Sequence, residues 1–166
     1  MSAHPELHLH LLRHAHAGDP MKWSGPDAAR PLSDKGRLQA EALGLFLAEV
    51  GFEPDAIVSS PKARALETAR LVATSLNLPI RVDDALAGPL SLEAVEEILR
   101  ASGDPATPLL VGHDPDFSEL AAELTGIPAL PIRKGALVRI DLVRPIGAGE
   151  GVLRWLIPPD LLTNRG

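Results

Sequence analysis

The chain contains no cysteine, no excess of basic residues and no apolar run long enough to span a bilayer. The absence of cysteine from 166 residues excludes disulfide bonds, thiolate metal sites and a cysteine nucleophile, and it fits a reducing compartment. Sixteen Lys and Arg against 22 Asp and Glu give a formal net charge of −6, which argues against general nucleic-acid binding because that function requires a basic face. Residues 1–13 also lack the long apolar segment of a signal peptide, so the expected location is the cytoplasm.

The order of the predicted elements indicates one α/β domain over residues 1–166. The composition is that of an ordinary globular protein, with 45% hydrophobic and 23% charged residues, and no fixed repeat, low-complexity tract or linker is present. Short apolar segments alternate with amphipathic helical patterns up to residue 126, which is typical of a largely parallel sheet. Segments 136–143 and 152–157 predict an antiparallel hairpin. The predicted fold is therefore a three-layer α/β/α domain with a mixed, largely parallel sheet and a C-terminal antiparallel hairpin.

Capping residues set the predicted helix boundaries. Ser33 and Ser91 are predicted N-caps of two helices. Ser60 and Asp114 are also predicted N-caps, each followed by a proline at the first helical position, where a missing N–H group costs little. A short third strand is predicted over residues 78–82. Helical spacing predicts the inward face of the helix after Ser33 as Leu43, Phe46, Leu47 and Val50.

The end of the first predicted strand carries the most informative residues, because an apolar run over residues 7–12 stops at Arg13 and His14. A guanidinium group presents a planar fork of donors for phosphate or carboxylate oxygens, and an imidazole can be a nucleophile, a base or a metal ligand near neutral pH. Ligands of open α/β sheets bind at the carboxyl ends of the strands, so this pair points first to phosphoryl chemistry. A chance Arg-His pair is the alternative, since the motif is short.

A second predicted strand, over residues 108–112, repeats this design and is followed by His113. In a largely parallel sheet both histidines emerge at the same edge. Arg64 lies in the first turn of the helix after another strand, where a cation is unfavourable for the helix dipole unless it faces an anion. A solvated Arg64 is the alternative, but two imidazoles and an arginine at one edge are hard to ascribe to chance.

A metal site is the competing interpretation of the histidines near the start of the chain. His8, His10, His14 and His16 have the same parity, so on an unbroken strand they would project from one face. The apolar run ends before His14, however, and the neighbouring positive charge of Arg13 would oppose a divalent ion. We therefore expect no metal.

Four segments of the sequence occur in the order that is typical of one protein family. They are residues 12–15 (LRHA), 30–36 (RPLSDKG), 60–69 (SPKARALETA) and 111–115 (VGHDP). Together they resemble the histidine phosphatase superfamily, in its branch related to phosphoglycerate mutases. The short length, the Arg30-Pro31-Leu32 element and the Lys134-Gly135-Ala136 segment are most similar to the subgroup of the phosphohistidine phosphatase SixA.

The resemblance implies a metal-independent phosphatase without a cofactor. His14 would attack phosphorus and become a transient phosphohistidine, and His113 would donate a hydrogen bond to the phosphoryl group. Arg13, Arg30 and Arg64 would bind the phosphoryl oxygens. The implied substrate is a phosphohistidine on a protein or a small phosphoester, with no nucleic-acid or membrane partner. A non-catalytic module that binds phosphorylated groups is the alternative from another class, although binding alone would need only the arginines.

The chain departs from the family pattern in two places. The third residue of the opening motif is commonly Gly and is Ala15 here, and no Glu in residues 83–89 aligns with the general acid of longer members. Asp27 matches an acidic residue of the SixA-like subgroup and is the candidate general acid, with His113 as the alternative proton donor. Asp27 as a simple loop cap is the other interpretation. His16 is expected either to line the pocket or to pack beside it.

Overall fold

Within residues 4–163, which the computed structural model describes, six strands and five α-helices alternate along the chain, except that the last two strands are consecutive. The strands are β1 (Glu6–Arg13), β2 (Ala56–Ser59), β3 (Arg81–Val82), β4 (Pro108–Gly112), β5 (Leu137–Val143) and β6 (Val152–Ile157). The helices are α1 (Asp34–Glu49), α2 (Ala63–Leu76), α3 (Leu92–Ala101), α4 (Asp116–Thr125) and α5 (Asp160–Thr163). In this described part of the chain, no helix combines the length and the apolar composition that crossing a membrane requires.

The six strands form one mixed sheet in the order β3-β2-β4-β1-β5-β6. The first four are parallel to one another, and β5 is antiparallel to both β1 and β6. Val111 of β4 is level with Leu12 of β1 on one side and with Ser59 of β2 on the other. The loops that follow β1, β4 and β2 therefore emerge side by side. The predicted α/β fold with a largely parallel sheet and C-terminal antiparallel strands is confirmed.

Alternating residues of β1 supply both faces of the sheet, and helices cover each face. Leu7, Leu9 and Leu11 are fully buried against residues of α3 and α4. Leu12, on the opposite face, packs in a second cluster with Leu43 and other residues of α1 and α2. Each such fully buried leucine contributes on the order of 1.5–3 kcal/mol to folding. This burial is what holds the site-bearing ends of the strands in register.

Two of the four predicted N-caps are confirmed and two are wrong. Ser33 accepts a hydrogen bond from the Gly36 amide, and Ser91 caps α3 in the same way. The N-cap positions of α2 and α4 are Lys62 and Pro115. The Ser60 hydroxyl lies against His113, and the helix starts two residues later than a cap at that serine requires. Asp114 does accept a bond from the amide of Ser118, but it stands one residue before the cap.

Two smaller predictions also need correction. Val50, assigned to the inward face of α1, is the C-cap residue and is 59% exposed, because the helix has ended where the spacing pattern would continue. Phe46 is only partly buried, whereas Leu43 and Leu47 are buried as predicted. The third strand is shorter than the predicted segment 78–82, since only Arg81 and Val82 pair with β2.

Candidate active site

The six predicted site residues come together at the carboxyl ends of the parallel strands. Arg13 is the last residue of β1, and His14 follows it with its amide donating to Gly112 O at the end of β4 (3.0 Å). The ring centroids of His14 and His113 are 5.3 Å apart. Arg64 lies in the first turn of α2, which follows β2. The loop between β1 and α1 adds the remaining two residues, Asp27 and Arg30.

His14 is buried and holds its ring in one tautomer. Its Nδ1 is 2.7 Å from the carbonyl oxygen of Ala15, which can only accept, so Nδ1 carries the proton and Nε2 has the free electron pair. Burial lowers the pKa of His14 to about 3, and the positive charges of Arg64, Arg13 and Lys134 add to that shift. The ring is therefore neutral at physiological pH and suited to nucleophilic attack through Nε2.

His113 is the second buried imidazole, and its contacts differ from those of His14. Its Nε2 is 2.7 Å from Ser60 Oγ, while its Nδ1 is buried without a hydrogen-bond partner in the described residues. Burial lowers the pKa of His113 to about 3, with further contributions from His14 and Arg64. The neutral ring leaves Nδ1 as the atom that is free to interact with a ligand.

Asp27 joins two of the three arginines. Its carboxylate accepts from Arg30 Nε (3.2 Å) and from Arg64 Nη2 (3.1 Å), and its backbone carbonyl accepts from Arg64 Nη1 (3.0 Å). The Arg30 hydrogen bond and the charge of Arg64 hold the pKa of Asp27 below its ordinary value. Both guanidinium groups are buried, whereas the Asp27 side chain is 57% exposed. A carboxylate thus occupies the donors that a phosphoryl group would use.

Arg13 approaches the site from the other side. Its Nη1 donates to the carbonyl oxygen of Ile132 (2.8 Å) and lies 3.4 Å from Asp114 Oδ2. The Nε atoms of Arg13 and Arg64 are buried and have no hydrogen-bond partner within residues 4–163. An unpaired buried donor costs about 1–3 kcal/mol, and both guanidinium charges act on the neutral His14 ring, so the pair indicates a site built to bind an anion.

Lys134 also lies at this site, although the sequence argument assigned no role to it. Burial and the charges of Arg13, Arg30 and Arg64 lower the pKa of Lys134, so its ammonium group shares their environment. The amide of Gly135 donates to the carbonyl oxygens of Arg13 and His14, with the glycine at a φ of +79° that other residues rarely adopt. Antiparallel pairing of β5 with β1 could have located this lysine, because the start of β5 then meets the end of β1.

The histidines of the alternative metal-site interpretation do not share one site. His8 Nδ1 is 2.9 Å from Asp141, and the His10 ring packs against Phe52 and Trp155 with centroids 4.7 and 5.6 Å away. His16 Nδ1 is 2.6 Å from Ser33 Oγ, beside the pocket. Among residues 4–163, no three His, Asp or Glu side chains are grouped as metal ligands.

Two comparisons with known proteins match the sequence of this chain. The family model of the histidine phosphatase superfamily (branch 1) matches residues 9–88. An uncharacterized protein of Mycobacterium tuberculosis is 34% identical over 116 residues, which are 70% of this chain and 71% of that protein.

Two solved structures share the fold over nearly the whole chain. The protein histidine phosphatase SixA complexed with tungstate superposes with a TM-score of 0.80 at 25% identity and covers 94% of this chain and 99% of its own. A putative phosphohistidine phosphatase SixA of Agrobacterium tumefaciens has a TM-score of 0.72 at 22% identity, covering 92% and 98%, which supports the fold. The chain belongs to branch 1 of the histidine phosphatase superfamily and is a phosphatase.

Proposed function

We propose that the protein hydrolyses phosphohistidine or phosphomonoester groups through a covalent phosphohistidine on His14, without a metal ion. The observation that carries this proposal is the state of His14: a buried, neutral ring whose Nδ1 is committed to the Ala15 carbonyl. Its Nε2 is thereby left with the electron pair, next to cations that can hold a phosphoryl group. The zero cysteine count supports a cytoplasmic location for this activity.

The reaction proceeds in two displacements at phosphorus. The Nε2 electron pair of His14 forms a bond to phosphorus while the bond to the leaving group breaks, and the leaving atom takes a proton. Water then gives a proton to the Asp27 carboxylate left by the first step and attacks phosphorus, the phosphorus–nitrogen bond breaks, and inorganic phosphate leaves with His14 restored. Phosphoryl transfer requires positioning and charge stabilisation, which Arg13, Arg30 and Arg64 provide for the phosphoryl oxygens. His113 donates through Nδ1 to the same group.

Asp27 serves as the proton donor in this proposal. Arg30 and Arg64 hold the pKa of Asp27 below its ordinary value, so its carboxylate is ionised at neutral pH. A phosphoryl group competes for those same guanidinium donors and brings negative charge beside the carboxylate, and both changes raise the pKa of an acid. His113, the alternative donor, is a neutral imidazole at physiological pH, which suits it to hydrogen bonding rather than to proton transfer.

Phosphohistidine on a partner protein is the proposed physiological substrate. The supporting comparison is the protein histidine phosphatase SixA, whose chain is matched over 99% of its length. Because 94% of this chain is matched in the same superposition, this chain adds no large insertion that would cover the site relative to that protein. A small phosphoester is accommodated by the same groups, so the covalent intermediate is common to both substrates.

Trapping the intermediate tests the proposal. Brief incubation with a radiolabelled phosphate donor, followed by denaturation in alkali, should leave label on the protein that survives base and is released by acid, as a phosphoramidate behaves. His14→Ala should abolish both label and turnover. His8→Ala is the matched control, because this histidine lies in β1, the strand that leads to His14, and its ring pairs with Asp141.

Three results would contradict the proposal. Label that persists in His14→Ala would place the nucleophile elsewhere, and activity that EDTA abolishes and a divalent ion restores would establish a metal mechanism. Stoichiometric binding of phosphate without turnover of any aryl phosphate would identify a binding module instead.

A further inference from the structure

A second cavity of about 310 Å³ adjoins the proposed catalytic site and shares Arg13 with it. We call it the basic cavity. It is lined mainly by charged and polar groups, which include Arg13, His16, Lys35, Arg133, Lys134 and Asp160. The mechanism above uses only the first of these side chains.

Positive charge is concentrated in the basic cavity although the whole chain carries a net charge of −6. Its one lining carboxylate, Asp160, lies 3.7 Å from Arg133 at the protein surface. Lys35 and Lys134 form no ion pair with any residue in the range 4–163. Burial, together with the charges of these two lysines, lowers the pKa of His16, so both ammonium groups act on the same imidazole. Arg13 and Arg133 are thus paired with Asp114 and Asp160, and the two lysines supply the local excess of positive charge.

The walls of the basic cavity are held by backbone contacts. The amide of His16 donates to Gln39 Oε1 of α1 (3.0 Å), and Ser33 N donates to the His16 carbonyl (3.0 Å). At Gly36 an added Cβ would lie 1.9 Å from the same carbonyl oxygen, so α1 can approach the loop this closely only with glycine there. Lys35 is therefore carried on a helix start that is packed directly against the loop after His14.

We propose that the basic cavity binds a second anionic group of the substrate, a phosphate or a carboxylate, while the transferred phosphoryl group lies at His14. The inference rests on the proposed function and specifies its substrate class. Arg13 links the two sites, with its Nε buried and unpaired and its Nη1 tied to Ile132. Substrates with two nearby anionic groups are then preferred over phosphomonoesters of neutral alcohols.

The test compares inorganic anions as inhibitors of p-nitrophenyl phosphate hydrolysis. Pyrophosphate and tripolyphosphate should inhibit the wild-type protein at concentrations at least about 10-fold lower than orthophosphate, the gain expected from an additional charged hydrogen-bonded contact. Lys35→Gln and Arg133→Gln should each reduce this ratio by about 5-fold, and the double variant should reduce it further. The ratio of inhibition constants is the readout because it cancels changes at the phosphoryl site.

Arg70→Gln supplies the matched control, since Arg70 is an exposed arginine of α2 that lines a different cavity. This variant should keep the wild-type ratio and the wild-type rate. A ratio that is unchanged in Lys35→Gln and Arg133→Gln, or that falls equally in Arg70→Gln, would overturn the inference.

A second experiment tests for a carboxylate by comparing phosphoglycolate with ethyl phosphate as substrates. If the wild-type protein prefers phosphoglycolate and the two cavity variants reduce that preference, the second anionic group is a carboxylate. If there is no such preference but the polyphosphate effect is present, the second anionic group is a phosphate.

Failure of the proposed function is distinguishable from failure of this inference. If p-nitrophenyl phosphate is not hydrolysed, dissociation constants of the same anions from calorimetry replace the inhibition constants. The basic cavity is then judged by the same ratio, while the missing turnover refutes the catalytic proposal alone.

Discussion

Replacing Asp27 with asparagine separates proton donation from substrate positioning. The substitution keeps the size of the side chain and one oxygen acceptor, but it removes both the charge and the ionisable proton. Asp27 contacts Arg30 and Arg64 at 3.2 and 3.1 Å, so its carboxylate competes with a phosphoryl group for these guanidinium donors. Two opposite effects on function are therefore expected from one change.

The first effect concerns the leaving group. An alkoxide is strongly basic and requires a proton as it departs, whereas p-nitrophenolate leaves readily without one. Asp27→Asn should slow alkyl phosphate hydrolysis by roughly 10²–10⁴-fold, the contribution of general acid catalysis. Hydrolysis of p-nitrophenyl phosphate should slow by less than about 10-fold, and phosphorylation of His14 by that donor should persist.

The second effect concerns binding. The Asp27 side chain is 57% exposed, so each of its ion pairs with Arg30 and Arg64 contributes only about 0.2–1 kcal/mol after solvent screening. Releasing these arginines should lower the inhibition constant of orthophosphate by about 2- to 10-fold. A loss of phosphate affinity in Asp27→Asn would show that the carboxylate holds the arginines in place rather than competing with the ligand.

Steady-state kcat/KM values for ethyl phosphate and p-nitrophenyl phosphate provide the assay, with Asp19→Asn as the control. Asp19 lies in the same loop, and its carboxylate accepts from the Met21 amide. Equal slowing of the two substrates would refute the general-acid role and leave Asp27 as a positioning residue.

Two further predictions address the cations and the histidines. Arg13→Ala and Arg64→Ala should each lower kcat by roughly 10²–10³-fold, the cost of losing one transition-state donor. Replacement of either arginine by lysine should restore only part of the lost activity. Wild-type rates in either alanine variant would exclude that arginine from the phosphoryl site. Burial lowers the pKa of His14 and His113 to about 3 and that of His10 to about 4. Between these values and the ordinary value of 6.5, the unfolded chain therefore binds more protons than the folded protein. The free energy of unfolding, measured in urea, should therefore fall as the pH drops below 6.5, by up to about 1.4 kcal/mol per pH unit for each histidine. A free energy of unfolding that does not depend on pH would show that these rings protonate in the folded state.

Local sequence patterns were sufficient to predict the fold class and the ends of the strands. The continuous apolar run before His113 is a buried strand, as expected for a strand covered on both faces of a sheet, and the strand before Arg13 is mostly buried although its leucines alternate with His8 and His10. Parallel strands place their carboxyl ends at one edge, so the approach of His14 to His113 could be expected from this pattern alone. The N-caps Ser33 and Ser91 were predictable for the same reason, since a cap bonds to an amide only a few residues away.

Contacts between distant segments were decided by the tertiary structure. Ser60 was predicted to cap a helix, but its hydroxyl lies beside His113, 53 residues away, once β2 and β4 are paired. The contact of Asp27 with Arg64 spans 37 residues and depends on how the loop after β1 folds across α2. Lys134 joins the site because β5 is antiparallel to β1. Residue type and spacing determine which groups a strand presents at its end, whereas strand register and loop path determine which partners those groups meet.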